Sequence, residues 1–332
     1  MAVGSGIGGS VGFSAESTYG TYVAPARFLE VTQAKIDRKP NFVQGGGIAA
    51  GQGFERASLY VQTHREGLLS VEGEVRNKQF GLLLAHLMGS SAAPVQQAAT
   101  TAYLQSHVWG DNVGKSLTGQ LGVPTLGGTV VPYSVMGGKV TSAEFSCGVG
   151  ELLTGKWELD VQDYSDVTGL AAPSYVTGAR PFHFGQMAVK VGAFGAEAAV
   201  TGIRKVTLKI ARPQRTDRQY AGGTGKKAEP VWNGRPQITG TIETDFLAKA
   251  DFADRVVTGG AISLVWEFVG PIIASTYAET FRVTLSAAVF TQGDPALEQG
   301  LDVVSPKFDF KVTTDDVNQP LKIEYMSVDT AV

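Results

Sequence analysis

Period-two alternation of apolar and polar side chains dominates this sequence of 332 residues. It recurs at Phe28–Ile36, Leu69–Val75, Lys139–Phe145, Trp157–Val161, Val206–Ile210, Phe281–Leu285, Phe308–Val312 and Lys322–Tyr325. Successive side chains of a strand point to opposite faces, so this pattern specifies strands buried on one face. β-Branched and aromatic residues fill the runs, as pleated surfaces prefer. Helical signals are confined to two places. Asn77 offers a cap for a helix over Lys78–Met88, with Gly89 as its stop. Asp245–Val257 is the second, with Gly259 beyond it. The class is mainly β, with one short helix in each half.

The two halves echo each other. Each runs strand, long Gly-rich loop, strand, helix, loop and strand pair. The loops are Arg38–Gly67, with Gly45, Gly46, Gly47 and Gly51, and Ala211–Pro236, with Gly222, Gly223 and Gly225. Phe145, Gly148 and Gly155 share the spacing Phe-x2-Gly-x6-Gly with Phe290, Gly293 and Gly300, and the aromatic strands at Trp157 and Phe308 follow. This order predicts two tandem β-sandwich or barrel domains, at 1–167 and 182–332, joined by a linker at 168–181 that is rich in small residues, Gly and Pro. Few large apolar residues anchor the two loops, which are predicted to be mobile in the free chain.

Composition narrows the function classes. Lys and Arg number 28 against 31 Asp and Glu, a formal charge of −3, which does not suit a nucleic-acid coat. The 42 glycines follow no collagen period, and 43% hydrophobic residues supply a sizeable core. The apolar runs Phe80–Met88 and Ala261–Ser275 fall short of the roughly 20 residues a membrane helix needs. The amino terminus lacks the basic and apolar regions of a secretory signal, so none is expected. One cysteine, Cys147, rules out an internal disulfide framework.

Catalytic and cofactor motifs fail on context. Gly4–Gly9 matches G-x-G-x-x-G, but no strand precedes it to form a dinucleotide site. Gly150–Lys156 resembles a phosphate loop, yet Trp157 stands where a hydroxyl must reach Mg²⁺. Gly8–Gly12 fits G-x-S-x-G without an upstream strand. His64, His86, His107 and His183 lack metal-ligand spacing. Carboxylates two apart, such as Glu72 and Glu74, share the solvent face of a strand. No cofactor, metal or enzymatic activity is expected. The basic run Arg204–Lys227 lacks interleaved aromatics and reads as a solvated face or a surface meeting an acidic neighbour.

The segment Val11–Pro25, followed by Arg27-Phe-Leu-Glu30, resembles the start of the tail tube (major tail) proteins of long, non-contractile-tailed bacteriophages. The motif is Glu-x-Thr-[Tyr/Phe]-Gly-Thr, supplied here by Glu16, Thr18, Tyr19, Gly20 and Thr21. The resemblance implies a β-sandwich with a flanking helix, whose subunits close into rings that stack into a hollow tube. It implies strands of neighbours joined into an inner barrel, and a long loop reaching the adjacent ring. It also implies a place in the virion tail after assembly in the host bacterial cytoplasm, with tape measure, tail terminator and distal tail proteins as partners. Two copies of the domain would let three chains make a pseudo-six-fold ring; if the repeat is false, the ring is hexameric. DNA would pass without tight binding, which predicts that carboxylates, with Glu72, Glu74, Glu158, Asp160 and Glu243 as candidates, outnumber cations on the lumen. The basic run would then lie at ring contacts or outside. The alternative readings are a head-decoration or receptor-binding tail protein and, behind it, a carbohydrate-binding or enzymatic sandwich.

Overall fold

The computed structural model describes residues 6–296 and 303–332. Gly4 of the first glycine motif and Gly300 of the second Phe-Gly-Gly series lie outside the described residues. The first half contains β1 (Ser10–Glu16), β2 (Arg27–Phe28), β3 (Gln33–Gln44), β4 (Tyr60–Glu74) and α1 (Gly81–Met88). Then come β5 (Gly89–Ser91), β6 (Val95–Gln96), β7 (Tyr103–Trp109), β8 (Ser116–Pro124), β9 (Val130–Gly148), β10 (Thr154–Val161) and β11 (Asp163–Ser165). The second half contains β12 (Met187–Ala193), β13 (Ala196–Val200), β14 (Ile203–Ala211), β15 (Gln214–Arg215), β16 (Val231–Trp232) and β17 (Gln237–Thr244). It ends with α2 (Ala253–Thr258), β18 (Ile262–Ala274), β19 (Tyr277–Gln292), β20 (Lys307–Val312) and β21 (Leu321–Ser327).

Six pairings of the first half have counterparts in the second. β3–β4, β4–β10, β10–β9, β9–β8, β8–β1 and β9–β11 correspond in order to β14–β17, β17–β20, β20–β19, β19–β18, β18–β12 and β19–β21. All are antiparallel. The halves join where β9 pairs with β14, Phe145 opposite Leu208, and where β7 pairs with β21. One row of eight strands therefore runs β3-β4-β10-β9-β14-β17-β20-β19. The row does not close on itself.

The period-two pattern explains which face of this row is dry. Val71, Trp157, Phe145, Leu208, Ile242 and Phe310 are buried on one face, and the alternate residues point the other way. The core crosses the junction between the halves without a break. Phe145 meets Trp157 at 5.6 Å and, from the second half, Phe281 at 5.5 Å. Such offset aromatic pairs add about 1 kcal/mol each beyond the area they bury.

Both helices exist, and both are shorter than the sequence predicts. α1 begins at Gly81 and is buried along its whole length, consistent with the apolar run Leu82-Leu-Leu-Ala85. Asn77 does not cap it. Its side chain instead accepts the Arg180 amide at 2.7 Å and donates to Glu279, tying the strand exit to the segment between the halves. α1 stops at Gly89, whose φ of 81° is the left-handed conformation of a helix end. Residues 245–252 are not helical, so α2 covers only the second part of the predicted span.

The two long loops also differ from expectation. Half of Arg38–Gly67 is strand: β3 and β4 continue beyond the row as a hairpin arm, pairing from Lys39–Glu66 to Gln44–Tyr60. Period-two burial stops at Ile36 because the arm is exposed on both faces, which is why sequence patterning ends there. Gly45, Gly46, Gly47 and Gly51 occupy its tip. Ala211–Pro236 does not project. It folds back on the first half, with Gly222, Gly223 and Gly225 in its turns.

Candidate functional site

The motif Glu16–Thr21 forms a turn clamp. β1 ends at Glu16, whose buried carboxylate accepts four hydrogen bonds. Ser116 Oγ (2.6 Å) and the Gly20 amide (2.9 Å) donate to Oε2, while Thr118 Oγ1 and the Gly137 amide (both 2.9 Å) donate to Oε1. The Thr21 amide closes the turn on the Thr18 carbonyl at 3.0 Å. Gly20 has φ of 76°, and a Cβ there would stand 1.8 Å from Gln162 Oε1. The positive φ favours glycine, and a larger residue would also have to displace the Gln162 side chain. Tyr19 lies against Gly137, and burial together with Asp160 and Glu229 pushes its phenol far above the ordinary range. The motif residues do structural work, joining β1, β8, β9 and the segment after β10.

The carboxylate candidates fall into two environments. Glu72, Glu74, Glu158 and Glu243 lie on the polar face of the eight-strand row. Cross-strand neighbours there alternate in sign, as in Glu72–Lys156–Glu144–Lys209. Opposite charges directly across an antiparallel pair attract. Asp160 shares the strand parity of Glu158 but is buried, because the excursion after β14 lies over it. Lys227 Nζ meets Asp160 Oδ1 at 2.5 Å, with both side chains almost wholly covered. Burial pushes the Asp160 carboxyl up, and Lys227 opposes that shift.

The basic run is not one surface. Lys205 and Lys209 sit on the polar face of the row. Arg212 is buried, its guanidinium 4.1 Å from the centre of the Trp109 ring, and it donates to the Leu87 carbonyl at 2.7 Å. Burial lowers its pKa to about 10. Lys226 pairs with Asp163 at 2.7 Å. Glu229, two residues beyond the run, holds the buried Lys139 at 2.5 Å. These partners are distant in sequence, and no spacing rule announces them.

Among the described residues, the two end strands of the eight-strand row each keep an open edge. β3 pairs only with β4. β19 pairs with β18 as far as Ala288, leaving Val289–Gln292 with β20 on one side only. A groove of about 470 Å³ opens beside the β3 edge, between Leu29–Ala34 and the β1 and β8 residues Val11 and Leu121. The arm carries exposed apolar side chains, among them Ile48, Tyr60 stacked on Phe42 at 4.8 Å, and Phe54, which is 92% exposed. Among the described residues no His, Cys, Asp and Glu group has the arrangement to hold a metal ion, and no helix is long and apolar enough to cross a membrane.

Comparison with known proteins places these features in a family. A family model described as phage tail tube protein matches residues 6–312, which takes in the turn clamp, the arm and both open edges. No curated protein matches the chain. A match over that span settles the membership suggested by Glu16–Thr21: the chain belongs to the phage tail tube protein family, the structural proteins of the virion tail.

Proposed function

We propose that three copies of this chain close into a ring and that rings stack into the hollow tube through which the phage genome passes. The single observation carrying the reading is the β9–β14 junction. β9 is to the first half what β19 is to the second, and β14 corresponds to β3. The row thus begins with a strand equivalent to β14 and ends with one equivalent to β9. Repeating the internal junction between chains satisfies both open edges, and unpaired edges are templates for strand addition. The halves then act as two tail-tube units and the ring as a pseudo-six-fold one.

The equivalence fixes a register. Phe145 lies opposite Gly155 and Leu208, and Phe290 lies opposite Phe310. Following β10–β4–β3 and β20–β17–β14 makes Thr32 the counterpart of Leu208. Phe290 of one chain then faces Thr32 of the next, and Val289 faces Gln33. Directly opposed residues of an antiparallel pair sit about 5 Å apart at Cα, within disulfide range. The double variant Val289→Cys, Gln33→Cys is expected to oxidise to a closed, covalent species of three chains, and neither single variant to do so. Tubes that resist cross-linking contradict this register, and a closed species of six chains contradicts the trimeric ring.

The arm, leaving the row at one end, is the element that reaches the next ring. Removing Gly45–Gly51 is expected to leave a folded chain that stacks poorly. The polar face of the row is the candidate bore. Seven acids (Glu72, Glu74, Glu144, Glu158, Glu243, Asp309 and, beside Lys35 on β3, Asp37) stand there with six lysines (Lys35, Lys156, Lys205, Lys209, Lys307, Lys311), so the wall mixes both signs with only a slight acidic excess. On this reading Lys205 and Lys209 would line the bore, whereas the sequence expectation kept the basic run off the lumen. Paired cations release few counterions from DNA. Assembled tubes are expected to show no appreciable duplex-DNA affinity at physiological salt; tight, salt-sensitive binding would overturn the conduit reading of this face.

A further inference from the structure

The excursion Arg212–Trp232 has the same place in the second half that the arm has in the first. Each leaves the leading strand (β3 or β14) and returns into its antiparallel partner (β4 or β17). Their conformations are opposite. The arm projects, exposed on both faces, whereas the excursion lies on the first half and grips the base of the arm.

The grip is specific. Gln219 Nε2 donates to Glu66 at 2.6 Å, and the Arg65 amide donates to the Gly225 carbonyl at 3.3 Å. Asp163 joins both elements, taking Arg65 on one oxygen at 2.9 Å and Lys226 on the other at 2.7 Å. Gly225 has φ of 74°, and a Cβ there would lie 2.9 Å from the Thr63 carbonyl, so only glycine allows this approach. The buried Lys227–Asp160 pair fastens the excursion to β10. A two-stranded hairpin is marginally stable by itself, so an arm exposed on both faces depends on what holds its base.

We propose that the excursion is a retracted second arm, used within its own chain as a strap that fixes the direction of the projecting one. A ring of three such chains carries three arms, not six, and its ring-to-ring contacts have three-fold symmetry. This inference rests on the reading that the arm contacts the next ring.

Hydrogen exchange of the full-length free chain tests the strap separately from stacking. Two variants are used: the double variant Gln219→Ala, Lys226→Ala, which leaves the buried Lys227–Asp160 pair intact, and Gly225→Val. Both are expected to speed exchange at Gln62–Glu66 about tenfold, while Leu321–Ser327 keeps its protection. Unchanged exchange in both variants overturns the strap. In cryo-electron microscopy of wild-type tubes, arm density at three positions per ring supports the retracted arm, and density at six overturns it. Faster exchange combined with tubes of normal length and number supports the strap and overturns the arm's role in stacking.

Discussion

Glu16→Ala is expected to destabilise the chain by about 4 kcal/mol, because four donors now satisfied by one carboxylate are left without a partner in a buried site. Each unsatisfied buried donor costs about 1–3 kcal/mol, discounted here because Gly20 sits in a turn that can relax toward water. Against a typical total of 5–15 kcal/mol, this is a large fraction. Glu16→Gln preserves the shape but turns one acceptor into a donor facing donors, and is expected to recover less than half of the loss. Denaturant unfolding of the free chain measures both. A loss below about 1 kcal/mol for Glu16→Ala would show that the motif is not what holds β1 to β8 and β9. Assembly assayed beside stability separates the clamp from any direct part in ring contacts.

Acid is expected to weaken the fold between about pH 6.5 and 4. Burial, with Lys115 nearby, lowers the pKa of His86 to about 4, and burial likewise lowers that of His107 to about 4. The unfolded chain binds these protons near the ordinary value of about 6.5. Within that window the unfolded state therefore holds more protons, and stability falls as pH drops. Below about 4 both states are protonated at these sites and the decline stops. Each imidazole contributes on the order of 3 kcal/mol across the window. Neither ring nitrogen of His107 has a hydrogen-bond partner, so His107→Phe removes a titrating group without breaking one. That variant is expected to show about half the wild-type pH dependence in thermal melts from pH 7 to 4. An unaltered slope would place the acid sensitivity elsewhere.

Local patterning made the strands legible where one face is buried and the other wet. Leu69-Ser-Val-Glu-Gly-Glu-Val75 and Val206-Thr-Leu-Lys-Ile210 alternate because they form the row, and the structure has strands there. The same rule is silent for Lys39–Gln44 and Tyr60–Thr63, where both faces meet solvent and burial imposes no period. Asn77 is a good cap by type, yet its polar atoms serve Arg180 and Glu279, a tertiary demand that no local window contains. The family motif was readable as a pattern, but its physical role was not. Glu16 acts through Ser116, Thr118 and Gly137, about 100 or more positions away. The strap was hidden for the same reason, since Lys227 and Asp160 are 67 positions apart.

The β9–β14 seam has a consequence for the speed of assembly. Where the two sides of a seam belong to one polypeptide, their encounter is intramolecular, at an effective concentration in the millimolar range for short flexible tethers. In the proposed three-chain ring, closure would need fewer bimolecular encounters than closure by single-unit subunits, and half of the seams would already be formed when each chain folds. The rate of nucleation should then depend less steeply on protein concentration. The covalent seam is also free to accept substitutions that would dissolve a seam between separate molecules, so on the proposed ring mutational tolerance should be greater along Ser142–Gly148 and Lys205–Ala211 than along the open edges of β3 and β19.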